Sequence, residues 1–262
     1  MKRYLFVVAS LLLLTSCNFT EEITFNEDGS GEFIMSYDMG EVMKTVEEKM
    51  GGGQSDEGKE NVKMDSIIYF KDMLTEKADS ISKLPQEEQD KLKALENIVM
   101  RMKMDQEEGL FNIGIGSSFK SLAELPETLE NIENAKSLNS KGDPSFSKMG
   151  ESQVAKASEG MFEYIDFSYD GKTFSRSLKE GYKKSDQDFE ALNTEISEMG
   201  EAKEMFEAMS YTVIYNFPKP IKSVTNKNAE ISKDRKTVRL KMNFIEMIKS
   251  PEKMVLDVVL ED

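Results

Sequence analysis

Paired carboxylates are the commonest reactive groups in this chain of 262 residues: Glu47-Glu48, Asp56-Glu57, Glu87-Glu88 and Glu107-Glu108. Two carboxyl groups facing each other across a cleft can hydrolyse a glycosidic bond. Sequence neighbours do not supply that separation, and each pair lies in a stretch dense with other charges, so solvated helix faces and turns account for them. Asn26-x-Asp28-Gly29-Ser30 offers oxygen ligands around a glycine, as calcium loops do, but lacks their twelve-residue spacing and closing bidentate Glu. A tight turn explains each of those residues, and no metal is expected. Gly114-x-Gly116 is a fragment of a nucleotide loop without its third glycine. Two glycines on one side of a strand predict instead that something approaches the backbone closely there. Serines are frequent, yet there is no Gly-x-Ser-x-Gly elbow and no histidine anywhere. That removes the Ser-His-Asp triad, the Cys-His dyad, the histidine base and the His-containing zinc site. No catalytic, cofactor-binding or metal-binding residue is expected, and the chain reads as a non-enzyme, with a carboxylate-based hydrolase kept as the second alternative function.

The one cysteine, Cys17, excludes an intramolecular disulfide and carries a different chemistry. Met1-Lys2-Arg3 is a short cationic start, and Tyr4 to Leu14 follows without a charge. Those eleven residues are too few to cross a bilayer as a helix, which takes about 20. They read as the apolar stretch of a signal peptide spanning residues 1–16. The segment ends in Leu14-Thr15-Ser16-Cys17, which resembles the bacterial lipobox. That resemblance implies cleavage before Cys17, diacylation of its sulfur and acylation of its new amine, enough acyl chain for stable membrane anchoring. Asn18, where inner-membrane retention signals carry Asp, points to the outer membrane. Glu21-Glu22 faintly resembles an acidic surface-export tract, and neither leaflet is assigned.

The formal net charge is −15 from 34 Lys+Arg against 49 Asp+Glu. Removing residues 1–16 takes away Lys2 and Arg3 and no acid, which leaves −17. A surface so acidic disfavours nucleic acid and stands off anionic lipid while the acyl chains on Cys17 hold it to the membrane. A polar run of only Asn18 to Glu22 precedes the first strand pattern, so the folded part, residues 17–262, is expected close to the bilayer.

The elements that must position these groups repeat as two strands and a helix. Ile23 to Asn26 and Phe33 to Tyr37 flank the turn Glu27-Asp28-Gly29-Ser30-Gly31, a hairpin in which Gly29 is expected at positive φ. Met39, Val42, Met43, Val46 and Met50 then form a helical stripe stopped by Gly51-Gly52-Gly53. Helical spacing joins Ile67, Phe70, Leu74, Ala78 and Ile81, and Pro85 opens a short helix through Leu92 and Leu95. Met100, Met102 and Met104 alternate with charged residues as in a half-buried strand, answered across Glu107-Glu108-Gly109 by Phe111, Ile113 and Ile115. A capping box at Ser121 and Glu124 precedes Leu122, Leu125, Leu129 and Ile132. The third unit pairs 161–169 with 173–178 around Asp170-Gly171 and continues into an amphipathic helix over 185–209. The remainder reads all-β: Tyr211 to Phe217, Val238 to Met242, and Met254 to Leu260. Strands joined by glycine turns predict an α+β fold, a mainly antiparallel sheet of β-hairpin-helix units with helices packed on one face. Residues 139–158 are expected as a flexible loop, and the hairpins on either side of it as parts of one sheet.

One strand breaks the one-sided pattern. Within 161–169, Met161, Ile165, Phe167 and Tyr169 share a face while Phe162 and Tyr164 share the other. With helices on one side only, those two rings would meet water and form a contact surface, unless the loop with Phe146 folds over them. The lipobox, the hairpin Thr24 to Phe33 and the tail Tyr215-Asn216-Phe217-Pro218-Lys219-Pro220-Ile221-Lys222 resemble uncharacterised lipoproteins of Bacteroidota. The resemblance implies a compartment and a chain layout, and no activity. The expected function is that of a membrane-anchored cell-envelope lipoprotein with a structural or partner-binding role, its partner an envelope protein. The alternative is a module that holds an apolar lipid or peptide between sheet and helices.

Overall fold

Glycine turns place the first strands where the sequence puts them. In a computed structural model that describes residues 18–38, 40, 63–105, 107–129, 162, 164–183, 186–198 and 209–262, β1 (Asn18–Phe25) and β2 (Gly31–Asp38) pair antiparallel. Gly29 sits at φ 84°, and the Asp28 carboxylate accepts from the Ser30 backbone N–H (3.0 Å) and hydroxyl (2.6 Å). The same device recurs between β6 (Ile165–Tyr169) and β7 (Thr173–Leu178). There Gly171 has φ 87° and Asp170 accepts from the backbone N–H groups of Lys172 and Thr173. Both turn glycines are therefore where L side chains would be strained, as expected.

The large sheet has eight strands in the order β10-β11-β8-β1-β2-β5-β4-β3. Its other members are β3 (Lys63–Tyr69), β4 (Ile98–Asp105), β5 (Leu110–Phe119), β8 (Ser210–Asn216), β10 (Glu230–Ile231) and β11 (Thr237–Asn243). Every pairing is antiparallel except β1 with β8, which is parallel. A second sheet of four strands, β6-β7-β12-β9, adds β9 (Ile221–Val224) and β12 (Leu256–Leu260). The α+β class with mainly antiparallel strands stands. The hairpin at 165–178, expected in the same sheet as the others, instead belongs to this second sheet.

The two sheets meet over one buried cluster, and the pleat decides which residues enter it. Phe25, Phe33, Tyr211, Val213, Tyr215, Val238 and Leu240 come from the large sheet, and Phe174, Ile221, Leu256, Val258 and Leu260 from the small one. Phe25 lies 5.5 Å from the Phe174 ring and 5.5 Å from Phe217, and Phe174 lies 4.6 Å from Tyr215. Each fully buried ring of this kind contributes on the order of 2 kcal/mol. A second sheet, more than helices, thus covers the centre of the large one.

Helices fill the flanks. α1 (Phe70–Glu76), α2 (Ala78–Ile81) and α3 (Gln86–Ala94) bury no residue of their own. α4 (Asp186–Glu198) buries Leu192 and Ile196. α5 (Phe244–Lys249) is capped by Asn243, whose side chain accepts from the Glu246 N–H at 3.0 Å, and it stacks Phe244 on Phe19 at 4.5 Å. α5 interrupts the region read as all-β. Ile67, spaced as a helical residue, lies in β3, because pairing with β4 outcompetes a weak local periodicity. Apart from Gly40, the helix expected over 39–50 lies outside the described residues, as do the loop at 139–158 and residues 199–208. No described helix is long and apolar enough to cross a membrane.

Candidate functional site

β1 carries two glutamates in succession, and its pleat sends them to opposite faces. Glu22 emerges on the outer face of the large sheet beside Thr20, Ser36, Arg101, Lys103, Asn112 and Gly114, which together line a depression of about 190 Å³. Four adjacent strands supply these residues, so their backbone positions are rigid. The Arg101 guanidinium lies 3.5 Å from Glu22 and 3.7 Å from Glu32, ion pairs without a hydrogen bond. The two glycines of β5 lie close against β2. A methyl group on Gly114 would come within 2.9 Å of Ser36 Oγ and 3.5 Å of Arg101 Cβ, and one on Gly116 within 1.9 Å of the Phe33 carbonyl. The close approach predicted for that side of the strand is therefore real, and its cause is the neighbouring strand β2. Half-burial raises the pKa of Glu32, with Arg101 pulling it back down. Asn216 donates to Glu22 (2.9 Å) and to the Thr24 hydroxyl (3.0 Å). The set turns polar and charged groups to solvent and has no nucleophile paired with a base.

Glu21 enters the interior, where sequence reading placed nothing. Its carboxylate is fully buried against Arg176, whose Nε and Nη2 donate to it at 3.5 Å and 3.4 Å. Tyr211 donates to it at 2.6 Å, Tyr215 donates to its other oxygen, and Arg176 Nη1 donates to the Met254 carbonyl at 3.2 Å. The Arg176 guanidinium also lies 5.9 Å from the centre of the Phe167 ring. Burial opposes the arginine's charge, and the Glu21 carboxylate with the phenol oxygens more than offsets that, so its pKa lies above the ordinary value. Burial, then the Glu21 charge, pushes both phenols well above theirs. No buried side-chain nitrogen or oxygen among the described residues lacks a partner. With each of its buried polar side-chain atoms hydrogen-bonded, the cluster ties the two sheets together. Period-2 alternation could have put Glu21 on the Ile23 face; nothing local could have named its partners.

The sequence-expected contact residues Phe162 and Tyr164 do not sit on a strand face. Both precede β6, in single turns of tight helix, and both rings are half-buried against the core. Phe162 meets Phe33 edge-on at 5.5 Å, while Tyr164 stacks on Tyr182 at 4.5 Å. Burial raises the Tyr164 pKa, with Tyr182 adding to it. The two rings thus go to different neighbours, because the alternation read over 161–169 begins only at Ile165. Cys17 lies outside the described residues. Asn18 beside it is already in β1, level with Ser210 of β8, and accepts a hydrogen bond from the Ser210 hydroxyl. Of the acidic pairs, Glu87 is exposed and bridged to Lys91 at 2.7 Å. Glu47-Glu48 and Asp56-Glu57 lie outside the described residues. Among the described residues no three acidic or cysteine side chains gather as a metal ion would require.

No protein-family model matches the chain, and no curated protein matches it. Among solved structures it is similar to the folded domain of the LppM protein of Mycobacterium tuberculosis, determined by NMR. The identity is 11%, covering 94% of this chain and 91% of that one, at a TM-score of 0.33. A likeness at that level assigns neither fold nor function, and these comparisons lend no support to a Bacteroidota origin.

Proposed function

We propose that this protein is a lipid-anchored lipoprotein of the bacterial cell envelope that acts by holding a protein partner and catalyses no reaction. The observation that carries the reading is the start of β1 at Asn18. A lipobox cysteine one peptide bond before a strand in the middle of an eight-stranded sheet would hold a folded domain against the bilayer, with no tether between. Asn18 favours the outer membrane as the destination. The −17 charge of the processed chain keeps its surface from adhering to anionic lipid, which leaves the acyl chains as the attachment. The other readings find less support. An apolar ligand was expected between sheet and helices, and over the centre of the large sheet that place is taken by the second sheet, with Phe25, Phe174, Tyr215 and Phe217 packed between the two. The most buried carboxylate, Glu21, is bonded to three side chains.

Cys17→Ser tests the anchor. The variant is expected to remain an unprocessed or unlipidated precursor that leaves the detergent phase on phase separation. Fractionation with membranes equal to the parent's overturns the anchoring role of Cys17.

A further inference from the structure

Paired only with β4 among the described residues, β3 is an edge strand. Among the described residues the two sheets have four edge strands, β3, β10, β6 and β9, and natural proteins blunt such edges to prevent unwanted pairing. β10 has two residues and leads into the charged turn Lys233-Asp234-Arg235-Lys236. β9 has four, follows Pro218 and Pro220, and carries Lys222. β6 alternates its exposed residues as Asp166 and Ser168. β3 has seven residues and presents three large apolar side chains in a row, Ile67 at 46%, Ile68 at 45% and Tyr69 at 44% exposure. Its one charge pair, Lys63 with Asp105 at 2.7 Å, sits at the opposite end.

At Tyr69 the edge runs into a groove of about 680 Å³. Lys71 and Lys120 line it against four carboxylates, those of Asp72, Glu96, Glu124 and Glu127. We propose that β3 accepts an extended segment of a partner protein as a ninth strand, with a basic side chain of that segment in the groove beside Tyr69. This deepens the partner-binding reading above and rests on it.

Three features select that occupant. Backbone N–H and C=O groups that no described strand pairs, along about 23 Å of β3, are matched by another extended backbone. The acid excess in the groove, on a chain of net charge −15, selects a cation. A second copy of this chain does not fit on one membrane. β1, β2, β5, β4 and β3 are each antiparallel to the next, so β3 runs in the same direction as β1. Antiparallel pairing of two β3 strands would point the two Cys17 anchors in opposite directions. The incoming strand runs antiparallel to β3, the more stable pairing, and so enters from the groove with its basic residues first.

The test uses the full chain in detergent micelles and a synthetic decapeptide of two lysines followed by alternating valine and threonine. Hydrogen exchange of residues 63–69 is expected to slow by about tenfold or more at millimolar peptide. A peptide with glutamates in place of the lysines is expected to need about tenfold more for the same effect. Ile67→Lys with Tyr69→Lys, both at exposed positions, is expected to abolish the slowing. Unchanged exchange overturns the proposal, as does equal action of the two peptides. Slowing that follows protein concentration, with a dimer in ultracentrifugation, overturns it in favour of a second copy. Cys17→Ser run alongside separates the two readings: slowing by peptide in that variant leaves the edge standing whether or not the anchor does.

Discussion

Glu21 and Glu22 are chemically identical neighbours, each beside an arginine, and they live in opposite environments. The Glu21–Arg176 side chains are 0% and 1% exposed, held by hydrogen bonds from a guanidinium and two phenols. Glu22 and Arg101 are 27% and 35% exposed, and their closest approach is an unbonded 3.5 Å. A charge pair's worth is set by the water it has lost. In the interior each member depends on the other, since neither can fall back on solvent. On the outer face water screens both and replaces either partner. The inner pair therefore locks one sheet to the other, while the outer pair leaves its groups available at the surface.

The largest effect should come from breaking the inner pair alone. Arg176→Met leaves the Glu21 charge buried without its cation and is expected to cost about 3–5 kcal/mol in denaturant unfolding. Arg101→Met on the outer face is expected to stay within about 1 kcal/mol. Adding Glu21→Gln to Arg176→Met should recover part of the loss, because the stranded charge is then gone. Equal costs for the two arginines would break the comparison.

A smaller effect separates the faces by alkali. Tyr211 and Tyr215 hold their protons well above the ordinary value of 10.0 when folded, because they are buried and face the Glu21 carboxylate. The unfolded phenols ionise near that ordinary value, so the unfolded chain sheds protons that the folded one keeps. Their contribution to stability is whole below pH 10 and declines as pH rises above it. Denaturation across pH about 9 to 11 should show that decline, and it should flatten in Tyr211→Phe. Tyr211 and Tyr215 should show phenolate absorbance only on unfolding. Their ionisation in the native protein near pH 10 would contradict the burial argument.

The smallest effect sharpens the outer side. Glu32 has a raised pKa from half-burial, opposed by Arg101. A carboxyl that holds its proton more tightly when folded stabilises fully below its ordinary value of 4.5, and that contribution is lost as pH rises through the raised value. Arg101→Met removes the opposing charge and should move the Glu32 titration further up, as read by NMR of the side-chain carboxyl. A downward move would mean that Arg101 does not act on Glu32.

What the residues determined by themselves is what a few neighbours can enforce. Asp28-Gly29 and Asp170-Gly171 form hairpin turns because a short carboxylate folds onto the next amides and glycine tolerates positive φ. Met100, Met102 and Met104 mark a strand by period alone, and the glycines at 114 and 116 announce a close approach. The proposed anchor likewise rests on four neighbouring residues, Leu14-Thr15-Ser16-Cys17, and on no fold. Alternation along β1 also separates Glu21 from Glu22, yet it does not say which side is dry. That was decided by contacts far away in the chain: β8 joining β1 in parallel, and the 165–178 hairpin leaving the large sheet to cover it. Arg176, Tyr211 and Tyr215 stand 155, 190 and 194 residues from Glu21, so no local pattern connects them. The same holds for Phe162 and Tyr164, whose places depend on Phe33 and Tyr182, and for β3, a strand because β4 pairs with it. Periodicity is a property of neighbours along the chain, and burial is a property of whatever folds on top of them.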